Sequence, residues 1–326
     1  MTRIACIGAG GMARVRGKAL RAAGAEIVAV AARHEETARA CAEALGCDRW
    51  TDEYRLVLDA RPDAVLVEVP HAAQQGIVAW ALARGLHVFI GGALAGSAAE
   101  GEEIRALAAR RGLVVEAGYQ ARYQDLFETA KVMLRAGALG ELVAVRSIAL
   151  WGGDPATWYY DQAMSGGMPL THMTYAFINP VRWLLDADPR CVSAFANRKK
   201  HTAPHLIAEE TCVATLLFPA DVPYTLTAGF VKPDALPAWS ITLIGTAGAL
   251  ELFPDDMEPG RYTAYLGGEP RTVPCASDGF TAQAAAFLAA MRGEEACRNA
   301  PEATLGDLRV AEAIVESART TRTIAL

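Results

Sequence analysis

Through residue 118 the chain alternates short, unbroken apolar runs with longer stretches whose apolar positions recur at helical spacing. The apolar runs at 3–7, 26–31, 64–69, 87–90 and 113–116 predict strands. The stretches between them, 12–23, 36–45, 73–84 and 98–111, predict amphipathic helices. A strand made of continuous Val, Ile and Leu has no polar face to offer to water. Such strands must be covered on both sides, and the intervening helices supply that cover. The pattern therefore implies a doubly wound parallel sheet.

After Tyr119 the rhythm changes. A helix at 123–135 ends at Gly137, and Gly140 precedes an alternating strand at 141–151. A glycine-rich loop and a helix at 169–185 come next. Strands at 191–198, 211–218, 224–230, 239–244, 249–252 and 261–266 then follow without intervening helices, which predicts a largely antiparallel sheet. Helices at 280–291 and 305–319 close the chain. The expected organisation is a dinucleotide-binding Rossmann domain over 1–119. An α+β domain with a large open sheet is expected over 120–326, for substrate binding and oligomerisation. A length of 326 residues suits two domains.

Composition narrows the function. With 52% hydrophobic and 21% charged residues the chain reads as an ordinary soluble globular protein. A formal net charge of −6 provides no broad basic surface, so no nucleic-acid partner is expected. No apolar run approaches the roughly 18 residues of a membrane span. The first predicted strand begins at residue 3, which leaves no room for a signal peptide and makes a cytoplasmic location the expectation. The seven cysteines are scattered without any C-x-x-C pair, so reduced thiols and no metal site are expected.

The first strand runs into Gly8-Ala-Gly10-Gly11-Met12-Ala13, a G-x-G-x-x-A turn followed by a helix. The motif is short, and its context gives it weight: a strand precedes it, a helix follows, and a second strand returns on schedule. In that setting Gly8 permits the tight turn, Gly10 lets the backbone approach a pyrophosphate, and Ala13 allows helix to pack on strand. The amides at Gly11 and Met12 then face the phosphates at the helix N-terminus. At the end of the second strand an NAD site places an acid against the ribose hydroxyls. Here Ala32, Arg33 and His34 occupy that stretch. A guanidinium at Arg33 suits a 2′-phosphate, so the expected cofactor is NADP(H), with NAD(H) as the alternative.

Several further segments, in order, carry a resemblance. They are Asp63-Ala-Val-Leu-Val-Glu-Val-Pro70, Gly118-Tyr-Gln-Ala-Arg122-Tyr123, Gly137-Ala-Leu-Gly140-Glu-Leu, the pair Gly166-Gly167 before Arg182-Trp-Leu-Leu185, and a helix around Ala311–Ala318. Nearly end to end, the chain resembles the glucose–fructose oxidoreductase / inositol dehydrogenase / rhizopine-catabolism (Gfo/Idh/MocA) family. The resemblance implies a Rossmann domain and an open-sheet domain with the substrate between them, Pro70 beside the cofactor, and a dimer or tetramer formed through the sheet face. It also implies oxidation or reduction of a sugar, cyclitol or related small molecule. In that family a lysine in an E-K-P segment and an aspartate and a histidine on a helix assist the proton transfer.

This chain departs from the family at those positions. The E-K-P segment maps to Gly91-Gly92-Ala93, and the helix positions map to His172, Ala176 and Asn179. His172, Tyr175, Ala176 and Asn179 stand at i, i+3, i+4 and i+7, on one helix face. The resemblance turns that face to the cleft. Imidazole titrates near neutrality, so His172 is the first candidate for the proton and the Tyr175 hydroxyl the second. Trp158 and Asp161 suit the apolar face and the hydroxyls of a sugar ring, with Arg122 and Asn179 as further substrate contacts. Lys199, Lys200 and His201 form a less apt substitute for the lost lysine. Three functions fit: an NADP(H)-dependent oxidoreductase with unusual acid–base residues, a lyase or isomerase that retains its cofactor, and a non-catalytic dinucleotide- or sugar-binding regulator.

Overall fold

The computed structural model describes residues 1–118, 120–167, 177–234, 236, 239–255 and 257–326. The candidate proton-handling residues His172 and Tyr175 lie outside them. The chain divides into two compact units. The first comprises Met1–Gln120 with Phe280–Leu305, and the second Ala121–Gly279 with Gly306–Leu326.

The first unit is built in the order β1 (Arg3–Ile7), α1 (Gly11–Ala22), β2 (Glu26–Ala31), α2 (Glu35–Ala44), β3 (Trp50–Thr51), β4 (Ala64–Val67), α3 (His71–Ala83), β5 (His87–Ile90), α4 (Ala98–Arg111) and β6 (Val115–Ala117). All pairings are parallel, in the order β3-β2-β1-β4-β5-β6. This is the strand order of the Rossmann fold, whose order reverses between β1 and β4. Strand interiors such as Ile4, Cys6, Leu66 and Phe89 are fully or almost fully buried, as their unbroken apolar runs require. Local signals set the helix ends. At the start of α4 the Ser97 hydroxyl accepts the Glu100 N–H, and the Glu100 carboxylate accepts the Gly96 N–H. Gly112 ends that helix in the left-handed conformation.

Helix α8 (Phe280–Met291) also belongs to this unit. The sequence pattern groups this helix with the second domain, yet its Phe280, Ala284, Phe287 and Leu288 join the same core cluster as Leu20, Ala13 and Phe89. The Phe287 and Phe89 rings lie 5.3 Å apart. Buried Gln283 donates to the Glu116 carboxylate at 2.9 Å and to the Ala117 carbonyl at 2.6 Å, which ties α8 to β6.

The second unit contains α5 (Asp125–Arg135), β7 (Leu142–Leu150), α6 (Gln162–Ser165), α7 (Asn179–Leu185), β8 (Cys191–Asn197), β9 (Thr211–Phe218), β10 (Val222–Gly229), β11 (Trp239–Gly245), β12 (Ala249–Phe253), β13 (Arg261–Tyr265), β14 (Arg271–Pro274) and β15 (Ile324–Ala325). Helix α9 (Pro301–Thr320) runs from the first unit into the second. The nine strands form one sheet in the order β14-β13-β12-β11-β7-β10-β9-β8-β15. It is antiparallel except where β10 lies parallel to β7. One face is buried through Val145, Ala149, Leu216 and Leu226, while Ile148, Phe195 and Val213 on the other face are exposed. No helix among the described residues is long and apolar enough to cross a membrane.

Candidate functional site

In the first unit the glycine turn sits where β1 meets α1. Gly8 has φ +109°, a conformation that a side chain disfavours, and its N–H donates to the Ala31 carbonyl at 2.8 Å. A Cβ at Gly8 would stand 2.0 Å from the backbone oxygen of Glu68. Only glycine lets β1 turn this close to β4. Gly10 is the N-cap of α1 and provides no side-chain cap. Among the described residues nothing lies within 4 Å of a Cβ placed on Gly10 or Gly11. The first-turn amides of Gly11, Met12 and Ala13 have no partner within the helix, and no acidic residue stands in that turn. Ala13 is fully buried and Met12 packs against the core, so their side chains hold the helix while the backbone faces outward. A phosphate group fits this arrangement on chemical grounds: uncommitted amides, the positive end of a helix dipole, and open space at two glycines.

At the end of β2, Ala31 is buried, while Arg33 and His34 are exposed. His34 is the N-cap residue of α2. The next acids in the chain, Glu35 and Glu36, fall in the first turn of α2, where they complement its dipole.

The end of β4 holds a residue to which sequence reasoning assigned no role. The Glu68 side chain is only 10% exposed, and its Oε1 accepts from Arg16 Nη1 at 2.7 Å. Arg16 is buried and also donates to the Gly118 carbonyl at 2.8 Å. Burial pushes the Glu68 carboxyl up from its ordinary value, and the Arg16 guanidinium opposes that shift. The available signal was one charged residue at the end of a buried parallel strand, in line with glycines at 91 and 92. Pro70 follows as the N-cap of α3. Gly92 has φ +108°, and its carbonyl accepts the Gly118 N–H at 3.1 Å.

The family models match both parts of the chain. The model described as an oxidoreductase family with an NAD-binding Rossmann fold covers residues 2–119, and the GFO/IDH/MocA C-terminal domain covers 127–251. The chain belongs to the Gfo/Idh/MocA oxidoreductase family. An uncharacterized oxidoreductase of Rhizobium meliloti is 26% identical over 312 residues, 92% of this chain and 91% of that protein. The scyllo-inositol 2-dehydrogenase (NAD(+)) of Bacillus subtilis is 24% identical over 171 residues, 52% of this chain and 49% of that protein. An aldose-aldose oxidoreductase from Caulobacter crescentus, solved in complex with glycerol, has a likeness of fold. Its TM-score is 0.89 at 24% identity, over 100% of this chain and 99% of that one.

In the second unit the candidate substrate contacts fall into two groups. Arg122 and Asn179 are buried and bonded to each other, with Arg122 Nε donating to Asn179 Oδ1 at 3.0 Å. Asn179 Nδ2 donates to Asp307 Oδ2 at 2.8 Å, and Arg182 pairs with both Asp307 and Asp188. Trp158 stacks on Tyr159 with centroids 4.0 Å apart, and Trp151 meets Tyr159 edge-on at 5.3 Å. The carboxylate of Asp161 is the N-cap of α6 and accepts the N–H groups of Ala163 and Met164. Lys199, Lys200 and His201 use their backbone N–H groups to clasp the Glu210 carboxylate, each at 2.8 Å. The two lysine side chains are exposed.

Proposed function

We propose that this chain is a cytoplasmic NADP(H)-dependent oxidoreductase acting on a sugar, a cyclitol or a related small carbonyl or imine compound. The observation that carries this reading is the uncapped N-terminus of α1, open at Gly10 and Gly11, within a Rossmann sheet. A bound nicotinamide coenzyme would supply hydride exchange with a substrate carbon. Gly8, Gly10, Gly11, Met12 and Ala13 would hold the diphosphate, and Pro70, Gly91 and Gly92 would line the nicotinamide side. Calorimetric titration with both coenzymes, followed by absorbance at 340 nm with a panel of polyols, keto-sugars and imines, tests the reading. Product formed without net coenzyme change would move the protein to the lyase or isomerase class. Ligand binding without turnover would move it to the regulators.

Arg33 supports the NADP(H) preference. Its guanidinium is exposed at the end of β2, where an NAD site would place an acid. Arg33→Ser is expected to weaken NADPH about tenfold and leave NADH within about twofold, the loss of one charged hydrogen bond. Tighter binding of NADH than NADPH to the unaltered protein would refute the preference.

For the proton we assign His172 as the acid–base group and Tyr175 as its alternative, because their i, i+3 spacing in the sequence would set both on one face of a helix. Arg122 and Asn179 secure the start of α7, and so the chain that follows these two residues. Trp158 and Asp161 would meet the sugar ring. His172→Ala is expected to lower turnover by at least about 10²-fold. Unchanged kcat in that variant would remove His172 from the mechanism.

The exposed Phe195, Val213 and Ile148 support a dimer or tetramer through the open sheet face, since Phe195 pairs with Val213, and Val213 and Ile148 flank the β10 residue Thr227. Light scattering that finds a monomer at micromolar concentration would exclude it.

A further inference from the structure

Glu68 supplies an observation that the assigned cofactor contacts do not use. We propose that its carboxylate accepts a hydrogen bond from a hydroxyl of the ribose on the nicotinamide side of the dinucleotide. This rests on the cofactor reading above and adds a residue to it.

Topology places the residue in that half of the site. In the strand order β3-β2-β1-β4-β5-β6 the diphosphate belongs at the start of α1 and the adenosine over β2. The second nucleotide then lies over β4 and β5, across the point where the order reverses. Neighbouring strands are about 4.8 Å apart, so the ends of β2 and β4, with β1 between them, are separated by roughly 10 Å. Glu68 therefore cannot stand in for the acid missing from β2. It serves the other ribose.

Local geometry makes it an acceptor. Arg16 fixes one carboxylate oxygen from behind at 2.7 Å. The other oxygen, Oε2, receives no hydrogen bond from any described residue, although the side chain is nine-tenths buried. Oε2 is not sealed from solvent, so the one oxygen that Arg16 leaves unengaged is open to a ligand hydroxyl. Gly91 provides the clearance. A Cβ there would lie 2.0 Å from the Glu68 carboxylate carbon and 2.0 and 2.1 Å from its oxygens. The carboxylate thus stands over the backbone of the position where the family resemblance places an acid. The negative charge has shifted one strand along the sheet, from the end of β5 to the end of β4. Burial raises the Glu68 carboxyl, and the ion pair with Arg16 opposes that rise by favouring the charged, accepting form.

The test compares ADP with ADP-ribose, which differ by the second ribose, on the full chain by calorimetry. The unaltered protein is expected to bind ADP-ribose about tenfold more tightly than ADP, as one hydrogen bond to a charged group allows. In Glu68→Gln, Arg16 draws the amide oxygen toward itself and the amide N–H₂ faces the ligand. The tenfold difference is then expected to vanish while ADP affinity is unchanged. A Glu68→Gln protein that keeps its circular dichroism and also keeps the difference overturns the proposal. Should that variant not fold, a dinucleotide lacking the 2′- and 3′-hydroxyls on the nicotinamide-side ribose is measured on the unaltered protein. It should bind about tenfold more weakly than the parent coenzyme, and equal affinity overturns the proposal. Dinucleotide binding with no contribution from Glu68 leaves the cofactor reading standing. Failure of both coenzymes to bind overturns the two together.

Discussion

Asp307→Ala is expected to destabilise the protein by about 3–5 kcal/mol, the cost of leaving a buried charge without its partner. Asp307 is fully buried and meets Arg182, whose side chain is 10% exposed. It also accepts from Asn179, which in turn accepts from Arg122. Removing the one carboxylate takes from Arg182 its buried partner, so that of these two acids only the exposed Asp188 remains, and deprives Asn179 Nδ2 of its acceptor. Burial raises the Asp307 carboxyl and the nearby Arg182 and Arg122 oppose the shift, so the charge is held by its neighbours rather than by solvent. The control lies in the same network. Asp188 pairs with Arg182 from a position 69% exposed, and Asp188→Ala should cost no more than about 1 kcal/mol. Urea unfolding with an unchanged m-value reads both variants. Equal midpoints for the two would show that the buried carboxylate adds nothing beyond a surface pair.

Gly8→Ala and Gly10→Ala should separate folding from ligand binding within one turn. At Gly8 an alanine must adopt φ +109° and place its methyl 2.0 Å from a backbone oxygen of β4's continuation. Neither obstacle yields to a side-chain rotation, so a loss of at least about 2–3 kcal/mol is expected. Gly10 has φ −72°, which alanine adopts without strain, and its methyl would enter open space. Gly10→Ala should therefore melt within about 1 kcal/mol of the unaltered protein. It should nevertheless weaken the dinucleotide at least about tenfold, because the methyl occupies the path of the phosphates. Full affinity in Gly10→Ala would mean that the amides of α1 bind no phosphate.

The sequence made the architecture legible because periodicity reports burial directly. The strand at 3–7 and the helix at 98–111 match the structure residue for residue, since a charged or glycine boundary ends each apolar pattern. Trp50–Thr51 and Arg271–Pro274 were not legible. The first is too short to show a period, and the second is exposed at all four positions and carries no apolar signal. The candidate site divides along the same line. Backbone functions, such as the turn at Gly8 and the open cap at Gly10, show as glycines at fixed spacing. Side-chain functions depend on partners far apart in sequence. Glu68 gains its setting from Arg16 and Gly91, and Arg122 is bound into a network with Asn179 and Asp307 that no local pattern announces.

The return of Phe280–Leu305 to the first unit governs how that unit is made. During translation, β1 to β6 leave the ribosome long before the helix that covers Phe89 and Leu20 exists. At 5–20 residues per second the delay is on the order of ten to thirty seconds. Through that interval the nascent Rossmann sheet has an uncovered apolar flank, a natural client surface for chaperones. A fragment ending near Gln120 would keep the flank permanently and should aggregate. Joining 280–305 to it through a flexible linker offers the shortest route to a soluble nucleotide-binding module.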